Sequence, residues 1–407
     1  MVNKLYFASH YQEEEKRAFD AIVKEKETVG YYNLPQQDIS QYLEYVDKIS
    51  DEIQSVIVID MSGSSLGPKA VYHALRSTVM LKRRLYFLET TDPVEILDLL
   101  ASIDIYKTHF LVVSKSGTTI ETLAVYKYIY NIHPHKDSFT FITDENSPLE
   151  KYANELDAKY FNLPNNVGDR FSVLSSVGLL PLAFSGIDIE SLLKGAKRVK
   201  DSFFDGGYMQ GPLLKKAAFY ATNHSTYNIN CTFAYTQSLK YFSEWYVRLW
   251  GESLGKKQKN SAFHVGLTPV GSIGPRDQHS FLQLLTDGTR DKSVTFIKIK
   301  NFKDDLIIPN MSLPNIKSAD IINNIPFNQL INLQCDSTIE SLLNENDIPI
   351  DSIVLEKLDA YSMGSLLFYF ELLTSLVAQM INVNAYDQPG IENGKNILKN
   401  KLKEIKG

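Results

Sequence analysis

Two stretches, SVIVIDMSGSSLGPKA (55–70) and HFLVVSKSGTTIET (109–122), carry one pattern: an apolar run, a turn of Ser, Thr and Gly, and the start of a helix. Both runs are short and rich in β-branched or aromatic residues, which marks them as strands. The pattern recurs on either side. RLYFLE (84–89), SFTFIT (138–143) and KYFNL (159–163) read as further strands, and the runs begin about every 20 to 30 residues, the period of a βαβ unit. Between them PKAVYHALRSTV, PVEILDLLASI and TTIETLAVYKYIY place apolar residues at helical spacing, with Pro68 at a first helical position. The first half is predicted to be a doubly wound, mainly parallel α/β sheet.

The second half repeats the alternation less regularly. NINCTFAY (228–235), a helical stretch to Gly255, AFHVGLTPV (262–270), SVTFIKI (293–299) and DSIVLE (351–356) predict a second sheet of the same class. Ahead of the first strand, EEEKRAFDAIVKEK and ISQYLEYVDKI read as amphipathic helices, and the C-terminal GKNILKNKLKEIKG as a basic one. A shift from apolar to charged, glycine-containing sequence near 187–207 marks a boundary. The expected architecture is two three-layer αβα domains with flanking helices: N-terminal helices over 1–50, a first domain over 51–190, a second over 191–387 and a C-terminal helix over 388–407.

Composition narrows the function classes. Forty-two Lys and Arg against 48 Asp and Glu give a net charge of −6, so there is no basic footprint for nucleic acid or an anionic membrane. Cys231 and Cys335 have no CxxC spacing, and the N-terminus lacks the apolar core of a signal peptide. A cytoplasmic protein is expected, with the N-x-S/T matches at Asn223, Asn230 and Asn310 idle. Residues 360–386 contain one charge, Glu371, and exceed the ~20 residues of a membrane span. Polar interruptions predict a buried helix followed by irregular structure instead. His133 and His135, flanking Pro134, read as a solvated turn.

In a doubly wound sheet ligands bind beyond the carboxyl ends of the strands, which directs attention to the turns at 60–66 and 114–119. Such turns present backbone N–H groups, hydroxyls and a helix N-terminus to an anion. Neither contains GxxxxGK[ST] or GxGxxG, so a nucleotide is not the natural ligand. Two readings stand for their Ser and Thr residues: plain N-caps, or a phosphate cradle to which Lys115 adds charge.

Five blocks then occur in order: SKSGTT (114–119), VGDRFSVLSSVGLLPLA (167–183), WGESLGKK (250–257), GPRDQH (274–279) and YDQPGIENGK (386–395). From about residue 55 onward the chain resembles the glucose-6-phosphate isomerase (phosphoglucose isomerase) family, built from two sugar isomerase domains. The resemblance implies an aldose–ketose isomerase that interconverts glucose 6-phosphate and fructose 6-phosphate through a cis-enediol. Position by position it makes Gly63 and Ser64 a sugar-contacting turn, and Ser114, Lys115, Ser116, Thr118 and Thr119 the phosphate loop. Glu252 falls at the base that moves a proton between C1 and C2, His279 at the ring-opening histidine, and Lys395 at a lysine near the ring end of the sugar. Arg170 takes the place of the arginine facing the enediolate, and Gln388 that of a glutamine near the substrate. It also implies a homodimer in which His279 crosses the interface, a phosphosugar ligand, and no metal or other cofactor.

The chemistry agrees with these residue types. Removing a proton α to a carbonyl needs a base, a group to polarise the sugar oxygens, and positive charge where the enediolate forms. Glu252, His279, and Arg170 with Lys395 supply the three. The chain departs from the family's pattern at Asp60 and Asp169, which replace glycines, and at Arg248, where glutamine is common. Arg248 is expected to contact a substrate oxygen or to pair with Asp169 or Asp60. Because the ligand is itself an anion, the cleft is expected to be locally positive through Lys115, Arg170, Arg248 and Lys395. Two rivals keep the same turns: a non-catalytic sugar-phosphate sensor, which has no need of Glu252, His279 and Lys395, and an isomerase of another phosphosugar.

Overall fold

A computed structural model describes residues 1–345 and 348–405. Its strands in chain order are β1 (Val2–Leu5), β2 (Ser55–Ile59), β3 (Arg84–Leu88), β4 (Thr108–Val113), β5 (Phe139–Asp144), β6 (Lys159–Leu163), β7 (Ile229–Ala234), β8 (Lys256–Lys257), β9 (His264–Val265), β10 (Thr268–Ile273), β11 (Lys292–Asn301) and β12 (Ile350–Lys357). One sheet has the order β3-β2-β4-β5-β6 with every pair parallel. The other has the order β1-β12-β11-β7-β10, parallel except for the antiparallel edge strand β1. Both are mixed α/β layers of the expected class.

The unbroken apolar runs explain the layering. β2 and β4 are buried along their whole length, and alternate residues feed opposite faces. Val56, Val58, Leu111 and Val113 enter a core shared with helix Leu66–Leu75 and helix Ser176–Ser185. Ile57, Ile59, Phe110 and Val112 pack on Val125 and Ile129 of helix Ile120–Ile132 and on Leu149 of helix Pro148–Glu155. In the second sheet Phe233, Val294 and Phe296 face Leu285, Cys335 and Ile339, whereas Ile297, Ile353 and Leu355 join the core that also holds Val56 and Val58. One apolar layer therefore links both sheets.

That layer is built on helix Ile189–Phe204 crossing helix Ala360–Met380. A Cβ on Gly195 would lie 1.9 Å from Tyr361 O, and one on Gly364 would lie 1.8 Å from Leu192 O, so only glycine permits the approach. Ser365 Oγ donates to Gly195 O at 3.0 Å across the contact. The stretch 187–207, where the composition shifts, is thus a helix, capped by Asp188, whose Leu192, Ala196, Val199 and Phe203 are buried. The helix Ala360–Met380 is long and apolar enough to cross a membrane, and 89% of its most apolar window is buried in the protein. It is the expected buried helix.

Several sequence expectations are corrected. Pro68 is the third residue of its helix, not the first; it is tolerated because the first four helical N–H groups have no intrahelical acceptor. AFHVGLTPV is not one strand: β9 pairs antiparallel with β8, and β10 begins at Thr268, with Pro269 acceptable on an edge strand. His133 is buried, not solvated, and bonds Ser138 Oγ through Nε2 at 3.0 Å. β1 was not foreseen, because VNKL is short and half polar. The C-terminal helix spans Pro389–Ile405, and Lys406 and Gly407 of the expected segment lie outside the described residues.

β1 is held by a buried polar network. Lys216 Nζ donates to Asp351 Oδ2 and Thr295 Oγ1, both at 2.8 Å, and Asn3 Nδ2 donates to Asp351 Oδ2 at 2.7 Å. Tyr369 OH closes it on Asn3 Oδ1 at 2.9 Å. Burial pulls the Lys216 pKa below its ordinary value, against the attraction of Asp351. Removing one partner leaves a buried charge uncompensated. Lys216→Met is expected to cost about 3–5 kcal/mol, read from urea denaturation; a loss under about 0.5 kcal/mol would contradict this role.

Candidate active site

The first sheet changes winding direction between β2 and β4. The helix after β2, Leu66–Leu75, packs on one face, and the helix after β4, Ile120–Ile132, packs on the other. The two Ser/Thr/Gly turns diverge there and open a crevice, the usual ligand position of a doubly wound sheet. A cavity of about 640 Å³ occupies it. Of the residues singled out from sequence, Lys115, Ser116, Thr119, Arg248, Gln388 and Lys395 line it.

The turn after β2 is closed on itself. Asp60 is fully buried, and its carboxylate accepts from Ser62 N at 2.7 Å, Ser62 Oγ at 2.6 Å, Ser64 Oγ at 2.8 Å and Ser65 N at 2.6 Å. These donors, expected to face a ligand, are therefore taken by the chain's own anion. Gly63 has φ +78°, and Arg248 Nη1 lies 1.3 Å from where a Cβ would stand. Arg248 also donates through Nη2 to Ser62 O.

The turn after β4 stays more open. Ser114 Oγ donates to Thr119 Oγ1 at 2.9 Å, and Ser116 Oγ and Thr118 Oγ1 share a bond of 3.1 Å. With its hydroxyl engaged there, Thr119 makes no side-chain cap to helix Ile120–Ile132. Ser65 likewise does not cap helix Leu66–Leu75. Plain N-capping is thus not what these residues do, and the uncapped N-terminus of Ile120–Ile132 opens beside Lys115 and Ser116. Lys115 Nζ itself donates to Val167 O at 2.6 Å. Ser114 and Thr118 do not line the cavity.

Glu252 sits on helix Lys240–Leu254 with one guanidinium on each oxygen. Arg170 Nη1 is 2.8 Å from Oε1, and Arg248 Nε, one turn earlier on the same helix, is 3.0 Å from Oε2. Arg248 therefore pairs with Glu252, not with Asp169 or Asp60. Glu252 is not itself on the cavity wall; Arg248 stands between. Arg170 comes from the turn Asp169–Phe171 after β6, and its side chain is 1% exposed. Its Nε donates to Ser253 Oγ at 2.9 Å, and its Nη2 to Ala385 O and, at 2.7 Å, to Asp387 O. Burial lowers its pKa, opposed mainly by Glu252 and then Asp169. His279 ends the turn Arg276–His279 after β10; it is exposed and does not line the cavity.

Three wall residues escaped the sequence reading, Glu89, Glu121 and Asp144, and Asp169, noted there as a departure from the family's pattern, joins them on the wall. Glu89 and Asp144 stand at the carboxyl ends of β3 and β5, so the rule applied to β2 and β4 would have found them. The cleft is consequently not positive overall: Lys115, Arg248 and Lys395 face four carboxylates. Their charge is muted locally. Lys69 neutralises Glu89. Burial raises the Asp144 pKa to about 6, with Lys115 opposing and Asp169 adding, and burial also raises that of Asp169. Among the described residues no group of three or more His, Cys, Asp or Glu is placed to hold a metal ion.

Fold and site together define a doubly wound α/β protein with an ion-paired carboxylate beside a Ser/Thr/Gly turn at the sheet's switch point, and comparison with known proteins narrows this. A family model described as phosphoglucose isomerase matches residues 35–407. The chain is 41% identical over 381 residues to a glucose-6-phosphate isomerase of Campylobacter jejuni, covering 92% of each chain. It is 32% identical to one of Methanocaldococcus jannaschii, covering 97% of this chain and 94% of the relative. Among solved structures, a hypothetical protein of Thermus thermophilus superposes with TM-score 0.86 at 29% identity, covering 96% and 94% of the two chains. The chain belongs to the phosphoglucose isomerase family.

The Gly63 geometry gives a direct test. Alanine there would meet both a left-handed backbone and the Arg248 guanidinium, so Gly63→Ala should lose about 1–2 kcal/mol in urea denaturation. Gly211→Ala, with nothing within 4 Å of the added carbon, should lose nothing. Equal stability of the two variants would contradict the packing of Arg248 on the first turn.

Proposed function

We propose that the protein isomerises glucose 6-phosphate and fructose 6-phosphate reversibly, as glycolysis and gluconeogenesis require, by moving a proton between C1 and C2 through a cis-enediol. The observation that carries this is the Glu252 carboxylate held between Arg170 and Arg248 beside the cleft of the first sheet. The phosphate is taken by the turn Lys115–Thr119 and the free N-terminus of helix Ile120–Ile132. Lys395 and Gln388 reach the sugar from the opposite wall. On substrate entry Arg248 exchanges its contact with Glu252 for a sugar oxygen, which frees the carboxylate to take the C2 proton of the open-chain aldose and return it to C1. The negative charge that develops on the sugar oxygens needs donors already in place. Arg170 spends four of its five N–H groups on the protein, leaving one Nη1 hydrogen for that oxygen. A cytoplasmic location goes with this reading.

Ring opening is assigned to His279 of a second subunit. Its exposure, and its distance from the cavity wall of its own chain, support a homodimer. So do the exposed apolar side chains of the segment leading into helix Phe327–Glu345: Leu306, Ile307, Met311, Ile316 and Ile321. Ile331 of that helix and Phe281 and Leu282, next to His279, pack on the same cluster of the second sheet. Exposed apolar surface of this kind fits burial against another copy.

Two experiments test the proposal. With fructose 6-phosphate as sole substrate and glucose-6-phosphate dehydrogenase as the coupling enzyme, the protein should give continuous turnover. Glu252→Gln should lower it by about 10²–10⁴-fold without loosening a phosphorylated inhibitor. No turnover by the unaltered protein would refute the assignment, and lost inhibitor binding would make Glu252 a structural residue. In the second, Glu252→Gln and His279→Ala chains are mixed and allowed to exchange subunits. A hybrid dimer carries one intact site, so activity should recover to about a quarter of normal; no recovery would place His279 outside the partner's site.

A further inference from the structure

The opposite edge of the first sheet holds a second, independent concentration of charge. A cavity of about 650 Å³ is lined by Arg76, Lys82, Arg83 and Arg84, with Asp51 and Asp104 as its acids. It lies at the amino ends of β2 and β3, since Ser55 and Arg84, their first residues, are on its wall. The isomerase cleft lies at the carboxyl ends of the same strands, so the two sites share no residue.

The four cations are unspent. Among the described residues none of them makes an ion pair, although both acids are on the same wall. Asp104 turns its carboxylate to Tyr106 N instead, at 3.0 Å. Arg76, Lys82 and Arg84 are exposed, whereas Arg83 is only 5% exposed. Arg83 Nη2 donates to Ile49 O at 3.1 Å and Ser50 O at 3.3 Å, its guanidinium lies 5.8 Å from the Phe184 ring centre, and its Nε is buried with no acceptor. A buried guanidinium with an unfilled donor is costly unless something else supplies negative charge. In a chain of net charge −6, four cations around one hollow also repel each other, and the carboxylates facing them, Asp51 and Asp104 on the wall and Asp47 near Arg83, offset this only in part.

We propose that this cavity binds a small soluble polyanion carrying two or more phosphate-type groups. Its volume is in the range of small-molecule sites, about 300–1,000 Å³. The exposed Arg76 and Arg84 offer paired N–H donors that match phosphate oxygens, and Lys82 and Arg83 add charge. Four cations against two carboxylates leave an excess of two positive charges spread around the hollow, and a pyrophosphate-type ligand, with two linked phosphate groups, can reach cations on more than one side of it.

The test titrates pyrophosphate into the full-length protein by calorimetry with fructose 6-phosphate present to fill the isomerase cleft. One pyrophosphate per chain should still bind, and more tightly than orthophosphate. The Arg76→Gln, Arg84→Gln double variant should weaken it by at least about tenfold, while isomerase turnover stays unchanged, which also reports that the variant is folded. No pyrophosphate binding with the cleft filled, orthophosphate binding equally well, or binding unmoved by the double variant would each overturn the proposal.

Discussion

Arg170 carries a guanidinium into the interior with its side chain 1% exposed, and three separate parts of the chain converge on it. It belongs to the turn after β6 of the first sheet, it bonds Glu252 and Ser253 on helix Lys240–Leu254 beside the second, and it bonds the carbonyls of Ala385 and Asp387 ahead of the C-terminal helix. Burying such a group is tolerable only when its donors are filled and a counter-charge is at hand. Ser253 and the Ala385 and Asp387 carbonyls take three of its donors, and Glu252, the proposed base, takes a fourth and supplies the counter-charge. The position of Glu252, and the start of the helix that carries Lys395, thus follow from satisfying one cation.

The segment that receives Arg170 is fixed from its other side by Glu25. Tyr32 OH donates to this carboxylate at 2.8 Å, and Tyr386 OH and Gln379 Nε2 donate to it as well. Tyr31 OH and Tyr386 OH meet at Ser375 Oγ, at 2.8 Å and 2.9 Å. Lys256 adds an ion pair to Asp387 at 2.6 Å. An N-terminal helix that never touches the cleft therefore sets where Gln388 and Lys395 begin. The acids at the cleft are absorbed in the same manner: Asp60 closes the first turn, Glu89 pairs with Lys69, and burial keeps Asp144 and Asp169 readier to hold a proton than free carboxylates. Attraction for a phosphosugar then comes from the placement of Lys115, Arg248 and Lys395, not from net charge.

The buried strands were legible in the sequence because burial on both faces of β2 and β4 admits few residue types besides apolar ones, and the βαβ spacing of such runs announced a parallel sheet. The two turns to look at followed from the same runs, whereas the strand order that makes a crevice between them came from the structure. Short or edge elements were not legible: VNKL is a strand only because Asn3 completes the Lys216–Asp351 network, a contact 348 residues away in sequence. The resemblance singled out Glu252, Arg170 and the Lys115 loop, and the structure pairs Glu252 with Arg170 and sets Lys115 on the cleft wall, yet the partner of Arg248 and the capture of the first turn by Asp60 depend on side-chain geometry that no spacing encodes. Glu25 was invisible for the same reason, since its three partners come from three separate segments.

The central claim is that a carboxylate, Glu252, relays a proton between adjacent carbons of the sugar, without transfer of a hydride. Running the isomerisation of fructose 6-phosphate in deuterium oxide and following glucose 6-phosphate by proton NMR tests this most directly. The relayed proton sits on a carboxylate that exchanges with solvent, so the account predicts deuterium accumulating at C2 over successive turnovers. Complete retention of protium at C2 after many turnovers would contradict it.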